Sequence, residues 1–189
     1  MSGGLVALVV VIVLVVVVAI WAVAQYNGLV RLRNLVQESW RQIDVELHRR
    51  HNLIPNLVES VKGYAAHERG VFDEVTRARA AAAGPSAGPA EQAAQETALN
   101  SALGRLLAVA ESYPVLRASE NFQQLQAELA NTEDRIAAGR RFYNANVRTL
   151  NTKVEQFPAN IIAGMFGFTR AEYFEVDDPQ VRQAPSVGF

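Results

Sequence analysis

The feature that most limits how this chain can fold is the run from Leu5 to Ala24. These twenty residues carry no charged side chain and are almost wholly Val, Leu, Ile and Ala. As a helix rising about 1.5 Å per residue, the run would be roughly 30 Å long, the thickness of a bilayer's hydrocarbon core. A buried core helix of that length would show a polar stripe, and this run has none, so it reads as a membrane span. The competing reading is a cleaved secretory signal, since Ala22-Val23-Ala24 looks like a cleavage site. Against it, Met1 to Gly4 bring no Lys or Arg, and the apolar run exceeds the usual h-region of about 7–15 residues. The expectation is an uncleaved anchor over residues 1–25, touching the bilayer through residues 5–24. With no Gly in the run, there is no G-x-x-x-G face for tight self-association. Self-association through other surfaces, as a homo-oligomer, stays open.

Charge sets the expected orientation. No basic side chain precedes the span, while Arg31, Arg33 and Arg41 follow it closely. The positive-inside rule then puts the N-terminus outside and the remainder in the cytoplasm. Over the whole chain, 18 Lys+Arg face 19 Asp+Glu, a net charge of -1. That balance speaks against nucleic acid as a partner, because duplex binding calls for a basic excess on one face. The chain has no cysteine, which excludes disulfides, thiolate metal sites and cysteine nucleophiles.

Beyond Tyr26 the apolar period is helical. Leu29, Leu32, Val36, Trp40, Ile43 and Leu47 recur at steps of three and four, with Arg31, Asn34, Glu38 and Arg41 opposite. Glu46 and Arg50, four apart, read as an exposed supporting pair. Pro55 predicts an end or a kink. A second helix should then bury Leu57, Val61, Tyr64, Phe72 and Val75, and stop at the Gly/Pro-rich stretch Gly84–Pro89. A third, from about Ala90 to Tyr113, should bury Leu99, Leu103, Leu106 and Ala110. Ser119 is a suitable N-cap for a long fourth helix. Its stripe runs Phe122, Leu125, Leu129, Thr132, Ile136, Gly139, Tyr143, Val147, Leu150, Val154 and Phe157, ending at Pro158. No period-two strand pattern appears. The expected fold class is all-α: an N-terminal transmembrane helix, then an antiparallel up-and-down bundle of about four long helices over residues 26–175. Its interior is expected to be apolar and closed. Residues 176–189, with Pro179 and Pro185, read as a flexible tail.

The words that make up these helices resemble those of the LemA family. They are Tyr26-Asn27 with Leu29-Val30, Leu53-Ile54-Pro55-Asn56-Leu57-Val58, and Val61-Lys62-Gly63-Tyr64. Ala108-Val109-Ala110-Glu111 before Tyr113-Pro114, Glu120-Asn121-Phe122, Leu125-Gln126, Thr132-Glu133, Arg135-Ile136, Arg140-Arg141 and Tyr143-Asn144 follow. Phe157-Pro158, Asn160 and Phe166-Gly167-Phe168 close the set. They fall in family order over nearly the whole chain, which makes the set specific. Two mild departures are Asn52, where an acidic residue is common, and a loop richer in alanine. The resemblance, which extends to magnetosome-membrane members, implies a bacterial cell-membrane protein with a small external N-terminus and a LemA-like helical bundle. It brings no catalytic residues with it.

The residues themselves give little chemistry. His48, His51 and His67 lack the Glu-x-x-His pairs of a bundle metal site and the His-Glu-x-x-His of zinc proteases. They read as solvated or hydrogen-bonded, and neither a metal nor a cofactor is expected. Glu133-Asp134 and Asp177-Asp178 are neighbours that point to different faces, not a converging acid-base pair. Asn144 sits on the inward stripe and is expected to hydrogen-bond across the bundle and fix its register. Arg140 and Arg141 could meet a phosphate, a headgroup or an acidic partner, or form a solvated face. Ile161, Ile162, Met165, Phe166, Phe168, Tyr173 and Phe174 crowd into fourteen residues; capping the bundle end is the favoured reading over an exposed patch. The candidate partner- or lipid-contact residues are therefore Arg140, Arg141, Ile162, Met165, Phe166, Phe168 and Phe174. The favoured function is a non-catalytic, membrane-anchored scaffold that recruits membrane or peripheral proteins. The rivals are a lipid-binding or membrane-shaping protein and an unrecognised hydrolase.

Overall fold

The computed structural model describes residues 3–176, and its described residues are helical with no strand. The elements are α1 (Gly3–Lys62), α2 (Arg69–Ala82), α3 (Pro89–Glu111), α4 (Pro114–Arg117), α5 (Glu120–Glu155) and α6 (Ala159–Met165). Long helices are present as expected, with α4 and α6 as short additions, but the second one expected after Pro55 is divided: Leu57 and Val61 belong to α1 and Phe72 and Val75 to α2, with residues 63–68 in neither. Of the tail read over 176–189, residues 177–189 lie outside the described residues.

Helix α1 is one element of 60 residues, and it contains the one candidate membrane span among the described residues. The most apolar part of that span is 0% buried within the chain, which is the opposite of a core helix. Of the two expectations at Pro55, an end or a kink, the end does not occur: Pro55 lies inside α1. Proline has no N–H to donate to the carbonyl four residues earlier, which here is that of His51. That carbonyl instead accepts a hydrogen bond from Arg79 Nε at 2.6 Å. A side chain from α2 thus satisfies the group that the proline orphans, and the helix runs on to Lys62.

The chain divides into two compact units, each built from separate stretches of sequence. The first combines Met1–Ser39 with Ala145–Ala171, and the second Trp40–Asn144 with Glu172–Phe189.

The second unit has the apolar core that the helical stripes predict. Ile54, Leu57 and Val61 of α1 join Phe72 and Val75 of α2, Leu99, Leu103 and Leu106 of α3, Leu116 of α4, and Phe122 and Leu129 of α5. Burying each of the larger side chains contributes about 1.5–3 kcal/mol. Tyr64 is a correction: it follows the end of α1 and is 46% exposed. Helices α2 and α3 pair across the short loop 83–88. Pro89 opens α3 at a position whose N–H would have no partner in any case. Glu91 reaches back to accept the Ala87 N–H at 2.6 Å.

In the first unit Leu29 and Val36 of α1, Val147 and Leu150 of α5, and Ala159, Ile162 and Ala163 of α6 are buried. Phe157, expected on the inward stripe, is instead 76% exposed, because α5 ends at Glu155 before reaching it.

Candidate functional site

Beside its apolar core, the interior of the second unit also holds buried charged and polar side chains. Where the inward stripes of α1 and α3 meet, they carry charge. On α1 the stripe runs Ile43, Leu47, Arg50, Ile54, and on α3 it runs Gln92, Glu96, Leu99, Leu103. Arg50 and Glu96 form an ion pair with both side chains 1% exposed. Arg50 Nη1 also donates to Glu133 Oε1 of α5 at 2.7 Å and to Asn100 Oδ1 of α3 at 2.8 Å. Glu96 Oε1 lies 3.0 Å from His51 Nε2 and accepts from Gln92 Nε2 at 2.8 Å. Gln92 Nε2 in turn donates to the Ala82 carbonyl, tying in the end of α2. The expected exposed pair of Glu46 with Arg50 does not exist. Arg50 is inward, and Glu46 faces Arg135 at 3.4 Å.

Burial, then the positive charges of Arg50, His48 and Arg79, lowers the His51 pKa to about 4. The imidazole is therefore neutral at physiological pH. Its Nε2–H donates to Glu96, and its Nδ1 is buried without a partner. Three side chains, Arg50, His51 and Gln92, gather on the Glu96 carboxylate. The charges balance: Arg50 and Arg79 against Glu96 and Glu133. The network links α1, α2, α3 and α5.

Beside the network opens a cleft of about 800 Å³. It is lined by the buried Leu47, Ile136 and Phe174, by the equally buried Arg50 and Glu96, and by Asn100, Ser101, Glu133, Asp134 and Arg140. Arg140 is half-buried and donates to the Val176 carbonyl at 3.4 Å, whereas Arg141 is exposed. Phe174 reaches this lining because its backbone is gripped from α5. Asn144 Nδ2 donates to the Phe174 carbonyl at 3.1 Å, and Asn144 Oδ1 accepts the Phe174 N–H at 3.0 Å. Asn144 therefore clamps a returning extended segment and does not bond helix to helix, as its place on the stripe suggested. The Tyr143 hydroxyl donates to the Glu172 carbonyl at 2.8 Å, and burial followed by Glu172 raises its pKa to about 12. Trp40 stacks near both Tyr143 and Phe174, at 5.4 and 5.3 Å between centroids.

A sequence model of the LemA family matches residues 39–189. The chain belongs to the LemA family. The chain is similar to two magnetosome proteins MamQ of Paramagnetospirillum magneticum, each 32% identical over 80% of this chain and 65% of theirs. It thus spans a little under two thirds of their length. It is also 25% identical to Protein LemA of Metamycoplasma hominis, over 85% of this chain and 77% of that one.

In this LemA-family chain the aromatic residues near the end divide between the units. Phe174 is buried in the second; Ile162 and Phe168 are buried in the first, where Ile161, Met165 and Phe166 stay open. Capping therefore holds for part of the cluster only. Asn151 repeats the clamp within the first unit, bonding both backbone groups of Ala171 at 2.8 and 3.0 Å. His51 is buried, while His48 is exposed, faces Asp44 at 3.7 Å and has its ring 6.3 Å from that of His51; His67 is exposed. Among the described residues no three His, Cys, Asp or Glu assemble that could hold a metal. Arg50 and Glu96 are what the sequence reading missed. Their signal was a charged residue on an otherwise apolar stripe, one on each of two helices.

Proposed function

We propose that this LemA-family protein is a non-catalytic adaptor of the bacterial cell membrane, anchored by Leu5–Ala24 with its N-terminus outside, which recruits a polypeptide partner to the cleft beside Arg50. The cleft supports this reading most directly. A lining that mixes apolar side chains with polar groups of both charge signs suits a peptide segment, whose apolar side chains and polar backbone need both. The charged groups behind it are paired with one another, which argues for a preformed surface more than for reactive chemistry. The exposure of the apolar span and the basic residues just past it support anchoring and orientation.

The test is photo-crosslinking in cells from position 101 at the cleft rim and, in parallel, from Val115, which is 70% exposed away from the cleft lining. A discrete heteromeric adduct at 101 that is absent at 115 is the expected result. Identical patterns from both positions would sink the cleft as the recruiting surface.

A further inference from the structure

The first unit leaves its largest apolar side chains open. Phe157, Ile161, Met165 and Phe166 are 76, 52, 72 and 57% exposed, although Ala159, Ile162 and Ala163 on the other side of α6 are buried. Ile161 and Met165 are four apart and share one face of α6, and Phe166 follows at once. Soluble surfaces rarely expose so many large apolar groups within ten residues.

Tyr26 fixes where this face lies. Its ring sits edge-on to Phe166 at 4.8 Å and to Phe168 at 5.7 Å. Tyr26 is two residues beyond the apolar run that ends at Ala24. Cations gather at the same level. The Arg33 guanidinium lies 5.1 Å from the centre of the Phe168 ring, and Lys153 reaches so close to Gly28 that a Cβ there would meet its Nζ at 3.5 Å. Apolar side chains flanked by Lys and Arg, at the point where a span leaves the hydrocarbon, are the composition of a helix lying in an anionic headgroup layer.

We propose that α6 with Phe166 is a second membrane contact, an interfacial foot that rests among anionic lipid headgroups where the span ends. The inference rests on Leu5–Ala24 being bilayer-inserted, because the contact with Tyr26 then brings α6 to the same surface. A second copy of the chain fits the patch less well, since it would bring identical cations to face these.

The chain contains no cysteine, so single-cysteine variants can each carry one environment-sensitive fluorophore. The full chain is reconstituted in phosphatidylcholine–phosphatidylglycerol vesicles whose acyl chains are brominated near the headgroup or near the bilayer centre. Labels at Met165→Cys and Ile161→Cys should shift to the blue and be quenched several-fold more by shallow than by deep bromines. A label at Val13→Cys should show the reverse. Adding Met165→Glu should reduce the quenching at position 161 several-fold. Replacing phosphatidylglycerol by phosphatidylcholine should reduce it at least twofold; unchanged quenching would overturn the role given to the cations. A label at 165 that iodide reaches and neither bromine quenches, while Val13→Cys is quenched by deep bromines, overturns the foot and leaves the anchor standing. An unquenched label at Val13→Cys overturns the anchor and the foot with it. Shielding at 165 that rises with the protein-to-lipid ratio and ignores bromines assigns the patch to a second copy and overturns the proposal.

Discussion

Glu96 gathers a guanidinium, an imidazole and an amide around one buried carboxylate, and the consequences of altering it are unequal. Glu96→Leu leaves the Arg50 guanidinium buried without its principal counter-charge, a loss of about 3–5 kcal/mol. For a chain of this size that is a fall of roughly 10 °C in Tm. Adding Arg50→Met removes the stranded charge and should recover part of the loss, so the double variant melts above Glu96→Leu. Thermal melts of the three proteins in one detergent decide it; a double variant no more stable than the single would mean that the pair does not act as a unit. His51 adds a pH dependence of definite sign. Its folded pKa of about 4 lies below the ordinary 6.5, so between those values the unfolded chain binds a proton that the folded one refuses. Stability is therefore full above about pH 6.5 and declines as pH falls toward 4. By pH 5 the loss is about 2 kcal/mol. His51→Gln keeps a donor for Glu96 and cannot titrate, so it should lose less Tm than the parent between pH 7.5 and 5. Equal losses would show that His51 is not the responsible group.

At the level of the element, α1 persists through Pro55 because α2 supplies what the proline lacks. Arg79→Ala would leave the His51 carbonyl without a partner, which costs about 1–3 kcal/mol when the group is buried. In a Pro55→Ala background the restored N–H at position 55 can take over that carbonyl, so the same arginine deletion should cost clearly less. A thermal double-mutant cycle reads the difference, and additive losses would refute the compensation. This pair also shows what can be read along a single strand of sequence. The stripes through Leu99, Leu103 and Leu106, or Phe122 and Leu129, announce their helices because burial against any neighbour requires only a repeating face. A local rule misjudged Pro55, because the donor that compensates for it, Arg79, stands 28 residues along the chain from the His51 carbonyl that it satisfies. Arg50 and Glu96 were visible as interruptions of two stripes. That they face each other depends on helix register, which no period within one helix contains. The asparagine clamps follow the same logic: the place of Asn144 on the inward stripe was visible, but the partners of Asn144 and Asn151 are backbone groups of a segment with no pattern of its own.

For the molecule as a whole, a net charge of -1 conceals an asymmetry about the apolar run. No basic side chain precedes Leu5, and Arg31 and Arg33 follow within ten residues of Ala24. Charge near the ends of a span governs which side is retained, because translocating Lys or Arg is disfavoured while acidic residues weigh little. The whole of the chain beyond Ala24 should therefore share one compartment, the cytoplasm. Ser101 is exposed and the chain has no natural cysteine, so Ser101→Cys reports that compartment without background. In intact spheroplasts this cysteine should resist a membrane-impermeant maleimide and react fully once the membrane is permeabilised. Lysines placed at Ser2, Gly3 and Gly4 oppose the arginines beyond the span, and they should create a population that reacts without permeabilisation. Labelling of the parent Ser101→Cys protein in intact spheroplasts would reverse the assigned orientation. It would also move Lys153 and Arg33 to the outer leaflet, so the lipid charge that α6 meets would be set by that leaflet instead.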